Sequence, residues 1–293
     1  MNNNIDDAAL FDGLKEGDDF SFKMNDRGRE YDVPLKVAVL KVHGTEQIVK
    51  AFYRPGTNDR DVLQACIPND EYFFSKLCVA PTPEKGRWAI DVGAHIGGAS
   101  LALIARGYKV TAVEPVPENA AILRMNIMLN GCEVWCRVIE FPAGAGDGKP
   151  VMVEWGQQLQ GATEGTKAHG FIGVTREQDG TTFERHTEQC KVMATIGLRA
   201  LLSPNSQAGL QRCDLLKLDC EGAELPLLAS AKPEELRHVE IIVGEIHGAM
   251  THVGIHAMCG GDSEFVDVSH EFWKQPETEH FCLLNGHTSP VDV

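Results

Sequence analysis

The stretch Trp88–Pro115, WAIDVGAHIGGASLALIARGYKVTAVEP, decides the fold of this 293-residue chain. Its first residues form an apolar run that only Asp91 interrupts, which is typical of a buried parallel strand. A glycine turn and a run of small and apolar residues follow, and Gly107 ends the helix that this run predicts. A second apolar run then leads directly into Glu114. The stretch therefore predicts a β-α-β unit whose closing acid accepts hydrogen bonds from ribose hydroxyls.

The spacing of the glycines favours S-adenosylmethionine over a dinucleotide. A dinucleotide fingerprint has the form G-x-G-x-x-G, but His95 stands at the position of the middle glycine. S-adenosylmethionine has no phosphate, and its methionine half carries an ammonium and a sulfonium. Asp91, two residues before Gly93, suits these positive charges and would repel a pyrophosphate. The pattern alone leaves open a generic Rossmann domain in which Asp91 caps its helix.

The composition predicts a soluble globular protein, with 43% hydrophobic and 24% charged residues. A net charge of −15 disfavours nucleic acid and acidic membrane surfaces as partners. Nine cysteines without a C-x-x-C pair, and an N-terminus without a secretion signal, predict reduced thiols in a cytoplasmic protein. No apolar segment approaches the roughly 20 residues that cross a bilayer. The sequence gives no indication of the oligomeric state.

The chain is predicted to consist of two parts. Residues 1–86 are predicted to form an N-terminal β-rich cap. Residues 87–293 are predicted to form the cofactor-binding core, with an insertion at about 150–190. Apolar patterns in the cap predict three strands and two short helices, over residues 20–24, 34–42, 46–53, 61–67 and 70–78. The Gly- and Thr-rich segment 156–188 is interpreted either as a mobile flap over the site or as a plain surface insertion.

Carboxylates follow two later strands. The apolar run around Lys217 ends at Asp219, with Glu221 close behind, and the run VEIIVGEI ends in Glu245 and His247. Because the carboxyl ends of parallel strands share one edge, these four polar residues are expected on one rim as catalytic candidates. Asp219 and Glu221 are open to a second interpretation, in which they complement the N-terminus of the following helix.

Four motifs, IDVGAHIGG, EPVPENAAILRMNIMLNG, LLKLDCEGAE and GEIH, together resemble the FkbM family of S-adenosylmethionine-dependent methyltransferases. The resemblance covers about residues 53–250. It implies an α/β class I methyltransferase fold, with a Rossmann-like, mostly parallel seven-stranded sheet and an antiparallel last strand near residues 281–284. It also implies O-methylation of a hydroxyl on a small molecule or sugar. Two positions depart from the family's pattern, because His95 replaces an asparagine and Ile196-Gly197 replaces Leu-Asp.

Site residues are assigned on this basis. The residues expected to bind S-adenosylmethionine lie in the glycine turn, after the core strands and in the Gly-rich loop 142–146: Asp91, Gly93, Ala94, His95, Gly97, Glu114, Pro115, Ala143 and Asp219. Arg54, Thr57 and Asp59, in the turn-rich loop of the cap, are expected to bind the acceptor, because the cap and the insertion are expected to set specificity.

The expected chemistry is in-line transfer of a methyl group to an oxygen, for which aligned reactants supply most of the acceleration. A base that removes the hydroxyl proton contributes about 10²- to 10⁴-fold, and His247 is the first candidate, followed by Asp219. A divalent metal such as Mg²⁺ held by Asp219 and Glu245 is an alternative that is not favoured, as is a softer metal held by His247, His252 and His256.

Two other classes of function remain open. A Rossmann oxidoreductase is disfavoured by the missing middle glycine. A cofactor-binding protein without catalysis remains an alternative, because the sequence reveals no substrate pocket.

Overall fold

An N-terminal three-stranded sheet opens the fold in the computed structural model, which describes residues 11, 13–26, 29–81, 86–155, 171–173, 189–203, 210–245, 247, 254, 265–273 and 280–285. Its antiparallel strands are β1 (Asp19–Asp26), β2 (Arg29–Lys41) and β3 (Ile48–Tyr53). Two short helices follow it, α1 (Asp59–Cys66) and α2 (Phe74–Leu77). Three strands were predicted in this part of the chain, and all three are present.

A seven-stranded sheet forms the centre of the molecule. Its first half contains β4 (Arg87–Val92), α3 (Gly98–Ile104), β5 (Tyr108–Val113), α4 (Pro117–Leu129) and β6 (Cys136–Ile139). A separate three-stranded sheet interrupts the chain here, with β7 (Pro150–Trp155), β8 (Phe171–Gly173) and β9 (Gln189–Ala194). The second half contains α5 (Leu198–Leu202), β10 (Cys213–Leu218), α6 (Glu224–Ser230), α7 (Pro233–Leu236), β11 (Val239–Glu245), β12 (Phe265–Asp267), α8 (Ser269–Phe272) and β13 (His280–Asn285).

The order of the central strands is β12-β13-β11-β10-β4-β5-β6. Strands β11, β10, β4, β5 and β6 pair in parallel, whereas β13 is antiparallel to both of its neighbours. The sheet is therefore mixed but mostly parallel, and the predicted antiparallel last strand is confirmed. The chain leaves β4 towards β5 and later returns to β10 on the other side. Open sheets bind ligands beyond the carboxyl ends of their strands at such a reversal, here between β4 and β10.

Alternate strand residues enter two separate buried clusters, one on each face of the central sheet. Leu215 and Ile241 belong to the cluster that also contains Phe52 of the N-terminal sheet. Their neighbours Leu216 and Ile242 belong to the second cluster. The period of two follows from strand geometry, and both faces are apolar because both are covered. The division of the chain at residue 86 stays a prediction, and the first cluster runs across it.

Asn126 of α4 and Asn130, which directly follows α4, bind the open edge of the N-terminal sheet. The amide of Asn126 accepts a hydrogen bond from the backbone N–H of Phe52 at 2.6 Å and donates one to its carbonyl at 3.2 Å. One helical turn later, Asn130 makes the same pair of bonds with Lys50 at 3.0 and 2.7 Å. Strand edges carry unpaired backbone groups, and these side chains satisfy them as a fourth strand would.

Left-handed backbone explains why one predicted helix is shorter than expected. A helix was predicted over residues 70–78, but α2 is confined to Phe74–Leu77. Asp70 and Phe73 adopt φ values of +55° and +53°, which a helix cannot include. The flap hypothesis falls mostly on residues outside the described ranges, and only β8 within that segment is described. None of the helices in the described ranges is long and apolar enough to cross a bilayer.

The asparagine pair yields a test of stability. Asn126 is fully buried, so Asn126→Ala leaves both backbone groups of Phe52 and the carbonyl of Ile96 without this partner. We expect the free energy of unfolding to fall by about 2–4 kcal/mol in urea titrations. Asn130→Ala is the matched control, because half-buried groups regain water, and we expect a loss of about 1 kcal/mol or less. Equal losses in the two variants would contradict this account.

Candidate active site

The glycine turn after β4 lies directly against the end of β10. The backbone N–H groups of Gly93 and Ala94 both donate to the carbonyl of Val113, which holds the turn beside β5. Gly93 has a φ of +78°, and a Cβ at this position would lie 1.7 Å from the carbonyl oxygen of Asp219. Only glycine permits this approach, so the turn and the end of β10 form one continuous wall.

Glu114 is buried at the end of β5 and lines the same region. One carboxylate oxygen accepts hydrogen bonds from the backbone N–H of Val116 at 2.9 Å and from the Asn119 amide at 3.4 Å. The other accepts the backbone N–H of His95 at 2.9 Å. Burial raises the pKa of Glu114 to about 7, although these bonds and the charge of Lys217 oppose the shift.

A buried ammonium group joins β4, β10 and the glycine turn. The Nζ atom of Lys217 lies 3.2 Å from Asp91 Oδ1, 3.4 Å from Asp219 Oδ2 and 3.0 Å from the carbonyl oxygen of Gly93. The hydroxyl of Tyr72 donates to Asp219 at 2.8 Å. Burial raises the pKa of Asp219, but Lys217 and this hydrogen bond outweigh it and lower the pKa below its usual value. Asp219 is therefore a fixed anion.

His247 lies beside a group of three carboxylates. Its Nδ1 atom is 2.9 Å from Oε1 of the buried Glu224, which also accepts the backbone N–H of Cys220. Its Nε2 atom lies 3.7 Å from Glu221 and 3.8 Å from both Asp219 and Glu245. The predicted rim of four polar residues is thus assembled in the structure, and Glu224 orients the imidazole.

The pKa of His247 is higher than the value expected of a histidine that acts as a base at neutral pH. Burial lowers the pKa of His247, but the hydrogen bond and charge of Glu224, with Glu221 and Asp219, raise it to about 9. A pKa of about 9 keeps most of His247 protonated at neutral pH, which disfavours it as a base, and its catalytic role stays a prediction. Burial, reinforced by Asp219, raises the pKa of Glu245 to about 7.

Asp219, Glu245 and His247 are the described residues that could together hold a metal ion. One ligand atom from each lies within 4.8 Å of the others. Two carboxylates and one imidazole suit a borderline divalent ion better than Mg²⁺, which prefers oxygen. His252 and His256, the other residues of the softer-metal hypothesis, lie outside the described ranges.

The glycine turn, Glu114 and the carboxylates of Asp219 and Glu245 line a cavity of about 370 Å³, within the size range of small-molecule sites. Nine residues predicted for the cofactor or for catalysis line it: Gly93, Ala94, His95, Glu114, Pro115, Ala143, Asp219, Glu221 and Glu245. Asp91, Gly97 and His247 lie outside this lining. Asp91 is fully buried, pairs with Lys217 and accepts the Ser100 hydroxyl at 2.7 Å, so its contacts favour a positioning role.

The three residues predicted to bind the acceptor do not line the cavity. Arg54 is buried and bonds both oxygens of the fully buried Asp59. Thr57 lies between them, where its hydroxyl donates to the Arg54 carbonyl and accepts the Asp59 N–H. These contacts hold the loop together and favour an internal role over direct acceptor binding, which stays a prediction.

The family assignment follows from a comparison of the sequence with models of known protein families. The model of the Methyltransferase FkbM domain matches residues 91–275, which is more than half of the chain. The chain belongs to the FkbM methyltransferase family. Its reaction class is therefore methyl transfer with S-adenosylmethionine as the donor, and the resemblance identified from the motifs is confirmed.

Solved structures similar to this FkbM methyltransferase are distant. An rRNA methylase from Streptococcus thermophilus is 11% identical over 68% of this chain and 87% of its own, with a TM-score of 0.39. SMU.1697c from Streptococcus mutans, in complex with SAH, is 9% identical over 73% of this chain and 94% of its own, with a TM-score of 0.42. The N-terminal domain of human METTL16, in complex with SAH, is 11% identical over 77% of this chain and 67% of its own, with a TM-score of 0.37. No curated protein matches the sequence.

Backbone geometry accounts for the two departures from the family pattern. His95 has a φ of +50°, a conformation that asparagine and histidine both tolerate. Gly197 has no room for a side chain, because a Cβ would lie 2.9 Å from Cα of Gly146. Its N–H donates to the carboxylate of Asp147 at 2.7 Å, so an acid from another loop binds this backbone group.

Three important residues were not assigned from the sequence: Tyr72, Asn119 and Lys217. Lys217 carried a signal, because a lysine inside an otherwise apolar strand requires a buried counter-charge. Tyr72 reaches the site from an element that is remote in sequence. Asn119, five residues after Glu114, lies within one of the four motifs that resemble the FkbM family, but its contact with Arg54 could not be read from that motif.

The raised pKa of Glu114 predicts a pH-dependent affinity for the cofactor. If the carboxylate receives the ribose hydroxyls, its protonation below pH 7 removes a charged acceptor, and Lys217 is the charged group that opposes this protonation. We expect the Kd for S-adenosylhomocysteine to rise about tenfold between pH 8 and pH 6 in calorimetric titrations. Glu114→Gln should bind more weakly at pH 8 and lose this pH dependence. An unchanged slope in the variant would exclude Glu114 as its source.

Proposed function

We propose that this methyltransferase transfers the methyl group of S-adenosylmethionine to a hydroxyl oxygen of a neutral small molecule or sugar. One observation carries the proposal: the glycine turn and Glu114 face the same cavity as the carboxylates of Asp219, Glu221 and Glu245. A donor held by the first group would share the cavity with an acceptor held by the second. Alignment of the two reactants supplies most of the acceleration.

Carboxylates suit a hydroxyl acceptor because they accept O–H hydrogen bonds and can take the proton. In the reaction, the acceptor O–H bond breaks towards the base and the oxygen bonds to the methyl carbon. The bond between that carbon and the sulfonium sulfur breaks, and its electron pair stays with sulfur. The products are a methyl ether and neutral S-adenosylhomocysteine. An alcohol is a weak nucleophile at neutral pH, so a base that acts in the transition state contributes substantially.

The geometry favours Glu245 over His247 as this base. Glu245 lines the cavity, whereas His247 is not part of the lining and has one ring nitrogen beside Glu224. The pKa of Glu245, about 7, also suits a base at neutral pH, whereas a pKa of about 9 makes His247 a cation. His247 then stabilises the neighbouring carboxylates by its charge. Asp219 stays the second candidate, although Lys217 makes it a weaker base.

The charge of the cavity disfavours an anionic acceptor. Its lining contains six carboxylates: Asp61, Glu71, Glu114, Asp219, Glu221 and Glu245. Lys217, the lysine of this lining, is already paired with Asp91 and Asp219. A phosphate-bearing acceptor would therefore be repelled, and the net charge of −15 acts in the same direction at longer range. Family membership disfavours an oxidoreductase.

The choice of acceptor can be tested with labelled methyl donor. We expect label from methyl-tritiated S-adenosylmethionine to enter neutral sugars or polyols in a mixed panel. The product should resist mild base, because a methyl ether survives conditions that hydrolyse a methyl ester. Transfer confined to RNA or sugar phosphates would contradict the neutral acceptor. No transfer to any member of a broad panel would favour a cofactor-binding protein without catalysis.

The identity of the base can be tested with two uncharged variants. Glu245→Gln should lower kcat by about 10²- to 10⁴-fold while S-adenosylhomocysteine still binds. His247→Gln should lower kcat much less, because it removes a charge and not the proton acceptor. EDTA should have no effect on the unmodified enzyme. An enzyme inactive in EDTA and restored by Mn²⁺ or Mg²⁺ would instead favour a metal at Asp219, Glu245 and His247, which would lower the pKa of the acceptor hydroxyl.

A further inference from the structure

Arg54, which follows β3 of the N-terminal sheet, is the centre of a buried polar network. Its side chain makes four hydrogen bonds at 2.6–2.8 Å, two to the oxygens of Asp59 and one each to Glu118 and Asn119. A buried guanidinium requires such partners, since desolvation of an unpaired charge is costly. Two separate connections lead from this network to Glu114.

The first connection runs through the amide of Asn119, at the start of α4. Arg54 can only donate hydrogen bonds, so the amide must turn its oxygen towards Arg54, at 2.7 Å. Its NH₂ group then faces Glu114, 3.4 Å from one carboxylate oxygen. Arg54 thereby determines which end of the amide meets the carboxylate. A flipped amide would set two oxygens against each other.

The second connection runs through the glycine turn. Asp59, held by Arg54 at both oxygens, lies 3.4 Å from Nε2 of His95. His95 is in the left-handed conformation, and its backbone N–H donates to the other oxygen of Glu114 at 2.9 Å. The contact with Asp59 restrains a residue whose backbone conformation is uncommon. Both oxygens of Glu114 are thus held by groups that Arg54 or its partner orients.

We infer that Arg54 is a positioning residue for the methyl donor, because it orients Glu114 towards the ribose hydroxyls through Asn119 and through the Asp59–His95 pair. The inference rests on the proposed function, in which Glu114 receives the ribose. It assigns to the N-terminal segment a part in cofactor recognition without any contact between Arg54 and the cofactor.

The experiment must separate positioning from stability, and Arg87 provides the matched control. Arg87 is also an ion-paired arginine, 2.7 Å from Asp214 and with a side chain only 11% exposed, but it stands at the amino end of β4, away from the cavity. Arg54→Gln and Arg87→Gln each remove one guanidinium from a carboxylate partner. Both variants should have lower unfolding midpoints. Only Arg54→Gln should change how the ribose is recognised.

The readout is the ratio of two affinities, measured by calorimetry on the full chain. The probes are S-adenosylhomocysteine and its 2′,3′-dideoxyribose analogue, which lacks both hydroxyls that Glu114 would bind. The unmodified protein and Arg87→Gln should prefer the intact ribose by about 10- to 100-fold. Arg54→Gln should reduce this preference to about threefold or less. An unchanged preference in Arg54→Gln would overturn the inference.

A second variant keeps the test decisive if Arg54→Gln does not fold. Asn119→Asp still accepts the hydrogen bond of Arg54, but it presents an oxygen to Glu114 in place of the NH₂ group. We expect the same loss of preference for the intact ribose, and full retention would overturn the role of the Asn119 connection. If the unmodified protein binds both probes equally, Glu114 does not receive the ribose, and the underlying assignment fails before Arg54 is considered.

Discussion

The geometry of the site depends on the burial of one positive charge. The ammonium group of Lys217, in the middle of an apolar strand, is only 3% exposed and has Asp91 and Asp219 as partners. Removal of an ion from water costs several kcal/mol, so this charge is tolerated only while both carboxylates and the Gly93 carbonyl stay within reach. This requirement holds Asp91, Asp219 and the carbonyl of the glycine turn around one point. Asp219 consequently faces the cavity in a position that is already set before the cofactor binds.

The parts of the fold that were predictable are those encoded in neighbouring residues. The β-α-β unit around Gly93 could be predicted because strand, turn and helix each have a local signature within 28 residues. The rim at Asp219 and Glu245 could be predicted as well, because both residues directly follow apolar runs that form parallel strands. In each case, topology alone carries the side chain to the carboxyl edge of the sheet.

The parts that were not predictable arise from contacts between residues distant in sequence. The pKa of His247 depends on Glu224, 23 residues earlier, whose buried carboxylate keeps the imidazole charged. The placement of Arg54 depends on Asn119, 65 residues later. A local sequence pattern indicates which secondary-structure element a residue belongs to. It does not report the electrostatic environment that distant elements create, and that environment disfavours the histidine that the sequence suggested as the first candidate base.

The hydrogen bonds from Asn126 and Asn130 to β3 also determine when the edge of the N-terminal sheet is paired during synthesis of the chain. The N-terminal sheet is made of antiparallel neighbours and can form early, but its open edge is satisfied by side chains 74 and 80 residues further along. At ordinary rates of translation, the ribosome needs about 4–16 s to add 80 residues. For that interval the nascent chain presents an unpaired strand, which is the kind of surface that recruits other strands or a chaperone.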